Sequence, residues 1–147
     1  MPLEQSIDFK EESNSLYNIL REKDDDVFNS ETQFKSWTIN DVLYHLHVWN
    51  NAAYLSLTNE KKFSKFMEDF FKAIKQGKSA RSYEKELSNN KYGQDLLLEW
   101  KNGYEKISKE FLKSDPKKRV KWAGPDMSVR SSITARHMET WSHGQEV

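Results

Sequence analysis

SWTINDVLYHLHVWNNAA, running from Ser36 to Ala53, is the stretch on which the reading of the whole sequence turns. Thr38 is followed three residues later by Asp41, a capping box in which each side chain satisfies the other residue's backbone amide and so starts a helix. From there Ile39, Val42, Leu43, Leu46, Trp49 and Ala53 recur at helical spacing, which predicts an amphipathic helix with one apolar face.

Towards the N-terminus, Leu3, Ile7, Leu16, Tyr17 and Leu20 form a partial helical stripe with a polar middle, and a first helix is expected from about Leu3 to Arg21. The acidic segment Lys23 to Trp37 breaks the pattern and reads as turns. Towards the C-terminus, Asn59 is placed to cap a third helix. Its apolar face, Phe63, Phe66, Met67, Phe70, Phe71 and Ile74, is expected to be core or a lid over it, ending near Gly77. Lys78 to Lys91 reads as a polar loop. A long helix follows with Leu96, Leu97, Trp100, Tyr104, Ile107, Phe111 and Leu112, stopped by Asp115-Pro116. After a short extended piece, Arg119 to Trp122, and a Gly124-Pro125 turn, Ser128 caps a last helix that runs to about His143. Nothing alternates with the period of a sheet, so the expected class is all-α, a helical bundle with a connecting insert.

At 147 residues the sequence has the length of one domain. Lys plus Arg and Asp plus Glu both number 23, so no net field draws the protein towards nucleic acid or an anionic membrane. There is no cysteine, which excludes a disulfide framework, thiolate ligands and a cysteine nucleophile together. Met1 to Ser13 holds Glu4, Asp8, Glu11 and Glu12 and no apolar run, unlike a signal or transit peptide. No apolar stretch approaches the ~18 residues of a membrane span. The expected address is therefore the cytoplasm, with no nucleic-acid or membrane partner; an oligomer is compatible with the composition.

Without cysteine, any metal must be held by histidine and carboxylate. Glu139 and His143 lie four residues apart and project from one helical face, the spacing by which a helix offers two ligands to one ion. The spacing alone is weak, because Asp41 and His45 repeat it. His45 sits at the edge of its apolar stripe, where a hydrogen-bonded core histidine is the plain alternative to a ligand. His47 and His137 point well away from these faces and are expected to meet solvent or a neighbouring helix. Arg136, one turn before Glu139, either pairs with it at the surface or, on an inward face, holds a substrate carboxylate. Lys117, Lys118 and Arg119 read as a solvated turn.

Two stretches read together carry a resemblance: Ser36 to Ala53, and VKWAGPDMSVRSSITARHMETWSHGQEV from Val120 to Val147. Their patterns W-x-G-P-x-M-S-x-R-S and A-R-x-M-E-T-W-x-H-G-Q resemble the metal-binding domain of the mycothiol-dependent maleylpyruvate isomerase family, within the DinB-like superfamily. LLLEWKNGYEKISKEFLKSDP, Leu96 to Pro116, is similar to that family's third bundle helix. The resemblance implies a single DinB-like domain over residues 1–147, a four-helix bundle with an extra helical insert between its second and third helices. It implies one divalent metal ion, usually zinc, held by His45, Glu139 and His143 with a coordination side open to solvent or substrate. It also implies a low-molecular-weight thiol cosubstrate and an electrophilic substrate. In the isomerase the thiol adds to an unsaturated dicarboxylate, the former double bond rotates, and elimination releases the isomer. Other DinB-like proteins resemble S-transferases. Asn50 and Asn51 depart from the acids often found there. Longer members continue into a further domain that helps form the active site, so a sequence ending at Val147 is expected to be either part of such a protein or a short member. The alternative function is a metal-binding or helical interaction module without catalysis of its own.

Overall fold

Thr38 starts the second helix as its sequence requires. Its hydroxyl accepts from the Asp41 amide at 3.0 Å, and the Asp41 carboxylate accepts from the Thr38 amide at 3.0 Å. In the computed structural model, which describes residues 3–147, six helices follow in order: α1 (Glu4–Leu20), α2 (Ile39–Thr58), α3 (Glu60–Lys75), α4 (Ala80–Leu87), α5 (Gly93–Leu112) and α6 (Val129–Gly144). The class is all-α. The only sheet among the described residues is a two-residue antiparallel pair, β1 (Arg119–Val120) with β2 (Met127–Ser128). It folds the loop after α5 so that Ser128, whose hydroxyl accepts from the Ser131 amide, starts α6.

Helices α1, α2, α5 and α6 pack side to side, α1 and α2 each lying against both α5 and α6. Their shared core holds Phe9, Leu20, Leu43, Leu46, Leu96, Leu97, Trp100, Tyr104, Ile107, Phe111 and Ile133, all essentially without solvent exposure. α3 and α4 fall between α2 and α5 in the chain and pack on the face of α2 that α5 and α6 leave open. For this reason α2 is buried almost all the way round.

The α3 face is divided. Phe63, Met67 and Phe70 are buried against Ala52, Trp49 and Trp122, while Phe71 and Ile74 remain in solvent. Helix α1 turns differently from its apolar stripe: Leu3, Ser6, Phe9, Ser13, Leu16 and Leu20 point inward and Ile7 is exposed. Ser6 faces α5, where its hydroxyl donates to the Ser108 carbonyl at 2.7 Å.

The segment Lys78 to Lys91 is not simply a loop. It contains α4, whose apolar stripe is only Ala80, Tyr83 and Leu87 and which is tied down by the Ser79 cap and by tertiary bonds from Glu84. The turn-rich segment before α2 holds a short 3₁₀ helix, Asp25–Asn29, that buries Phe28. The basic turn at Lys117 to Arg119 is exposed as expected. Lys118 also donates to the Leu57 carbonyl at the C-terminal end of α2, at 3.4 Å. No helix among the described residues is long and apolar enough to cross a membrane.

This core assigns very different costs to two leucines. Leu46 has 0% exposure and Leu98 has 54%. Leu46→Ala is expected to cost about 2–5 kcal/mol and Leu98→Ala less than roughly 0.5 kcal/mol. The check is the urea midpoint of each variant at an unchanged slope.

Candidate metal centre

Three residues from two helices converge. α2 carries His45, and α6, which packs against α2, carries Glu139 and His143 one turn apart. Glu139 Oε2 lies 3.6 Å from His45 Nε2 and 3.1 Å from His143 Nε2. One potential ligand atom from each residue lies within 4.8 Å of the others. Tetrahedral bonds of about 2.0–2.1 Å place neighbouring ligand atoms roughly 3.3 Å apart. Donor identity and spacing are thus compatible with a divalent ion. The three expected positions are brought together, and the two other histidines are not. His47 Nε2 stands 3.5 Å from Glu99 on α5, and His137 Nε2 stands 3.6 Å from Glu12 on α1.

The inner side of the site is polar in a way the sequence reading did not find. Glu84, on α4, is completely buried. Its Oε2 lies 3.1 Å from His45 Nδ1 and accepts from the Trp49 indole at 2.9 Å and from Arg81 Nη2 at 3.2 Å. Arg81 Nε closes a second contact to Glu84 Oε1 at 3.1 Å. His45 therefore has a carboxylate at each ring nitrogen, Glu84 at Nδ1 and Glu139 at Nε2.

An aromatic wall flanks the histidines. The Trp37 ring stacks on His143 at 5.3 Å and 7° and meets His45 edge-on at 5.4 Å. Arg81 lies over the same indole, 3.9 Å from its centroid, an arrangement that is attractive because the ring face is electron-rich. Trp37 is delivered by two non-glycine residues with left-handed backbone, Lys35 at φ 50° and Ser36 at φ 60°. Such backbone costs on the order of 1 kcal/mol per residue and persists where surrounding contacts over-determine it.

Arg136 departs from the surface-pair alternative. It is 6% exposed, on the inward face of α6 with Ser132, Thr140 and His143. Its guanidinium lies over Trp122 at 5.3 Å, and Nε and Nη1 have no hydrogen-bond partner among the described residues. Asn50 is also buried, with both amide atoms unpartnered among those residues.

The charges follow from these contacts. Burial alone lowers the His45 pKa, but hydrogen bonds to Glu139 and Glu84 outweigh it and leave the imidazole above the usual histidine range. His143 first and His45 second hold the Glu139 carboxyl far below the usual carboxylate range. Burial lowers His47, with Glu99 opposing incompletely. Burial also pulls Arg136 down to about 10, which leaves it charged at neutral pH.

Comparison with known proteins returns the family resembled in the sequence, over nearly the whole chain. Residues 9–147 match the family described as the mycothiol maleylpyruvate isomerase N-terminal domain. Two uncharacterized proteins of Mycobacterium tuberculosis, from strains CDC 1551 / Oshkosh and ATCC 25618 / H37Rv, are each 29% identical over 140 residues. The match covers 95% of this chain and 53% of each relative, so the chain spans about half their length. No solved structure matches significantly.

In metal-free protein, proton NMR titration should place His45 above the ordinary histidine midpoint and His47 below it. Glu139→Gln should lower the His45 midpoint by roughly one pH unit and leave His47 in place. An unmoved His45 would contradict the assigned contact.

Proposed function

The chain belongs to the mycothiol maleylpyruvate isomerase N-terminal domain family, and from that premise we propose that it binds one divalent ion, zinc, through His45, Glu139 and His143 and serves low-molecular-weight-thiol chemistry. The observation that carries this reading is the convergence of the three donors at 3.1 and 3.6 Å from α2 and α6. Two neutral imidazoles and one carboxylate offset only half the charge of a divalent ion, so this donor set favours a further anionic ligand. A bound zinc ion supplies Lewis acidity, which lowers the pKa of a coordinated thiol into the neutral range. The cysteine-free chain has no thiol of its own.

The protein's residues have distinct parts in this scheme. The two imidazoles and Glu139 hold the ion. Trp37 stacks on His143 and limits water on that side. Arg136 carries a buried charge with free donors, and a buried cation without a partner is costly. A carboxylate on the substrate would supply that partner through charge-assisted hydrogen bonds.

The reaction class is an isomerase or an S-transferase. In either, the thiol loses its proton as sulfur bonds to an electrophilic carbon, and the carbanion formed takes up a proton. An isomerase reverses both steps after rotation about the former double bond and regenerates the thiol; a transferase retains the new carbon–sulfur bond. A second reading is a DinB-like metal-binding or helical interaction module without catalysis of its own, in which the His45, Glu139 and His143 cluster serves structure alone.

Protein purified without a histidine tag and assayed by elemental mass spectrometry should carry about one divalent metal per chain. Glu139→Ala and His143→Ala should lose it while staying folded. Thiol-dependent consumption of an unsaturated carboxylic acid by the loaded protein selects the enzyme. Metal without turnover selects the metal-binding module, and protein that takes up no metal on reconstitution overturns the metal reading and leaves the helical interaction module.

A further inference from the structure

A neutral histidine offers a metal only the nitrogen that carries no hydrogen, so the tautomer of His45 decides whether it can be a ligand at all. Two opposed contacts reach its Nδ1. Glu84 Oε2 at 3.1 Å can only accept, and is attractive when Nδ1 is protonated. Arg81 Nη1 at 3.2 Å can only donate, and is attractive when Nδ1 is bare. The first arrangement leaves Nε2 with its lone pair facing Glu139 and His143. The second puts the hydrogen on Nε2, where it donates to Glu139 and blocks coordination.

We propose that Glu84, brought in by the inserted helix α4, is the positioning residue that fixes His45 with Nδ1 protonated and Nε2 free for the metal. This rests on the reading of His45 as a ligand. The geometry favours Glu84 over Arg81 for three reasons. Glu84 is wholly buried, so water does not compete for its oxygens. Arg81 is already engaged by that same carboxylate through Nε at 3.1 Å and Nη2 at 3.2 Å, which spends its charge away from the ring. The Trp49 indole, donating at 2.9 Å from α2 itself, fixes the Glu84 oxygen one turn along the helix from His45. A carboxylate behind a ligating histidine orients the ring and raises its basicity, and removal of such a partner commonly weakens metal affinity 10- to 100-fold. The insert is thereby part of the site, because it supplies the group that selects the ligand atom.

The test combines tautomer and affinity. Protein labelled with ¹⁵N-histidine is examined by long-range ¹H–¹⁵N correlation, metal-free at a pH alkaline enough for neutral imidazole, and again with zinc. The expected His45 pattern is Nδ1–H in both states. Zinc affinity, measured by competition with a chromophoric chelator, should fall about 10- to 100-fold in Glu84→Gln, with the metal-free His45 signal moving towards Nε2–H. An Nε2–H tautomer in the metal-free wild type overturns the proposal even if the variant fails to fold, since that measurement needs no variant. A folded Glu84→Gln protein with wild-type affinity and wild-type tautomer overturns it as well. Wild-type protein that shows Nδ1–H but takes no zinc would leave the orienting role standing and defeat the ligand reading instead.

Discussion

His45 stands on α2 and its two partners stand on α6, so the site exists only while those helices keep their register against one another. Apolar burial maintains that register. Val42, Leu43 and Leu46 on α2 and Val129 and Ile133 on α6 are fully buried in the common core. Burial of a side chain of this size is worth about 1.5–3 kcal/mol, enough in aggregate to hold several polar groups in places they would not choose. Glu139 and His143 need only the helix to meet each other, whereas His45 reaches them only through tertiary packing.

The same core creates an electrostatic problem that the site's surroundings resolve unevenly. A buried carboxylate is expensive unless its acceptor sites are filled. Glu84 receives the indole of Trp49, the guanidinium of Arg81 and the ring of His45. Arg136 is also buried, yet two of its nitrogens have no partner among the described residues. The first group gathers three contacts on one carboxylate oxygen of Glu84 and so stiffens a donor, while Oε1 keeps only its ion-pair contact with Arg81. The second is a charge with unfilled valence, which is why it is the substrate-facing candidate.

Much of this was legible in the sequence because it depends on local rules. The capping residues Thr38, Asn59 and Ser128 start helices where their side chains can satisfy free amides, and the Glu139–His143 pair follows from helical geometry alone. What escaped was set by tertiary contact. Helix α4 has too short an apolar pattern to register, and its Glu84 reads as one more surface acid until α2 places Trp49 and His45 against it. In α1 the inward positions of Ser6 and Ser13 carry no apolar signal, so the stripe was drawn through Ile7 and missed Phe9. Trp37 reads as the residue before a cap, and only its stacking on His143 reveals it as a wall of the site. For Arg136, spacing from Glu139 left two faces open and packing against Trp122 chose the inward one.

The central claim is that one ion is bound by two imidazoles and one carboxylate from α2 and α6. X-ray absorption at the zinc edge of loaded protein tests it most directly, because the outer-shell scattering of imidazole rings counts histidine ligands. The account predicts a first shell of nitrogen and oxygen at about 2.0–2.1 Å with two imidazoles, reduced to one where excess zinc is forced back into His45→Ala or His143→Ala protein that has lost its metal on purification. A shell without imidazole scattering, or one unchanged by either substitution, would contradict it.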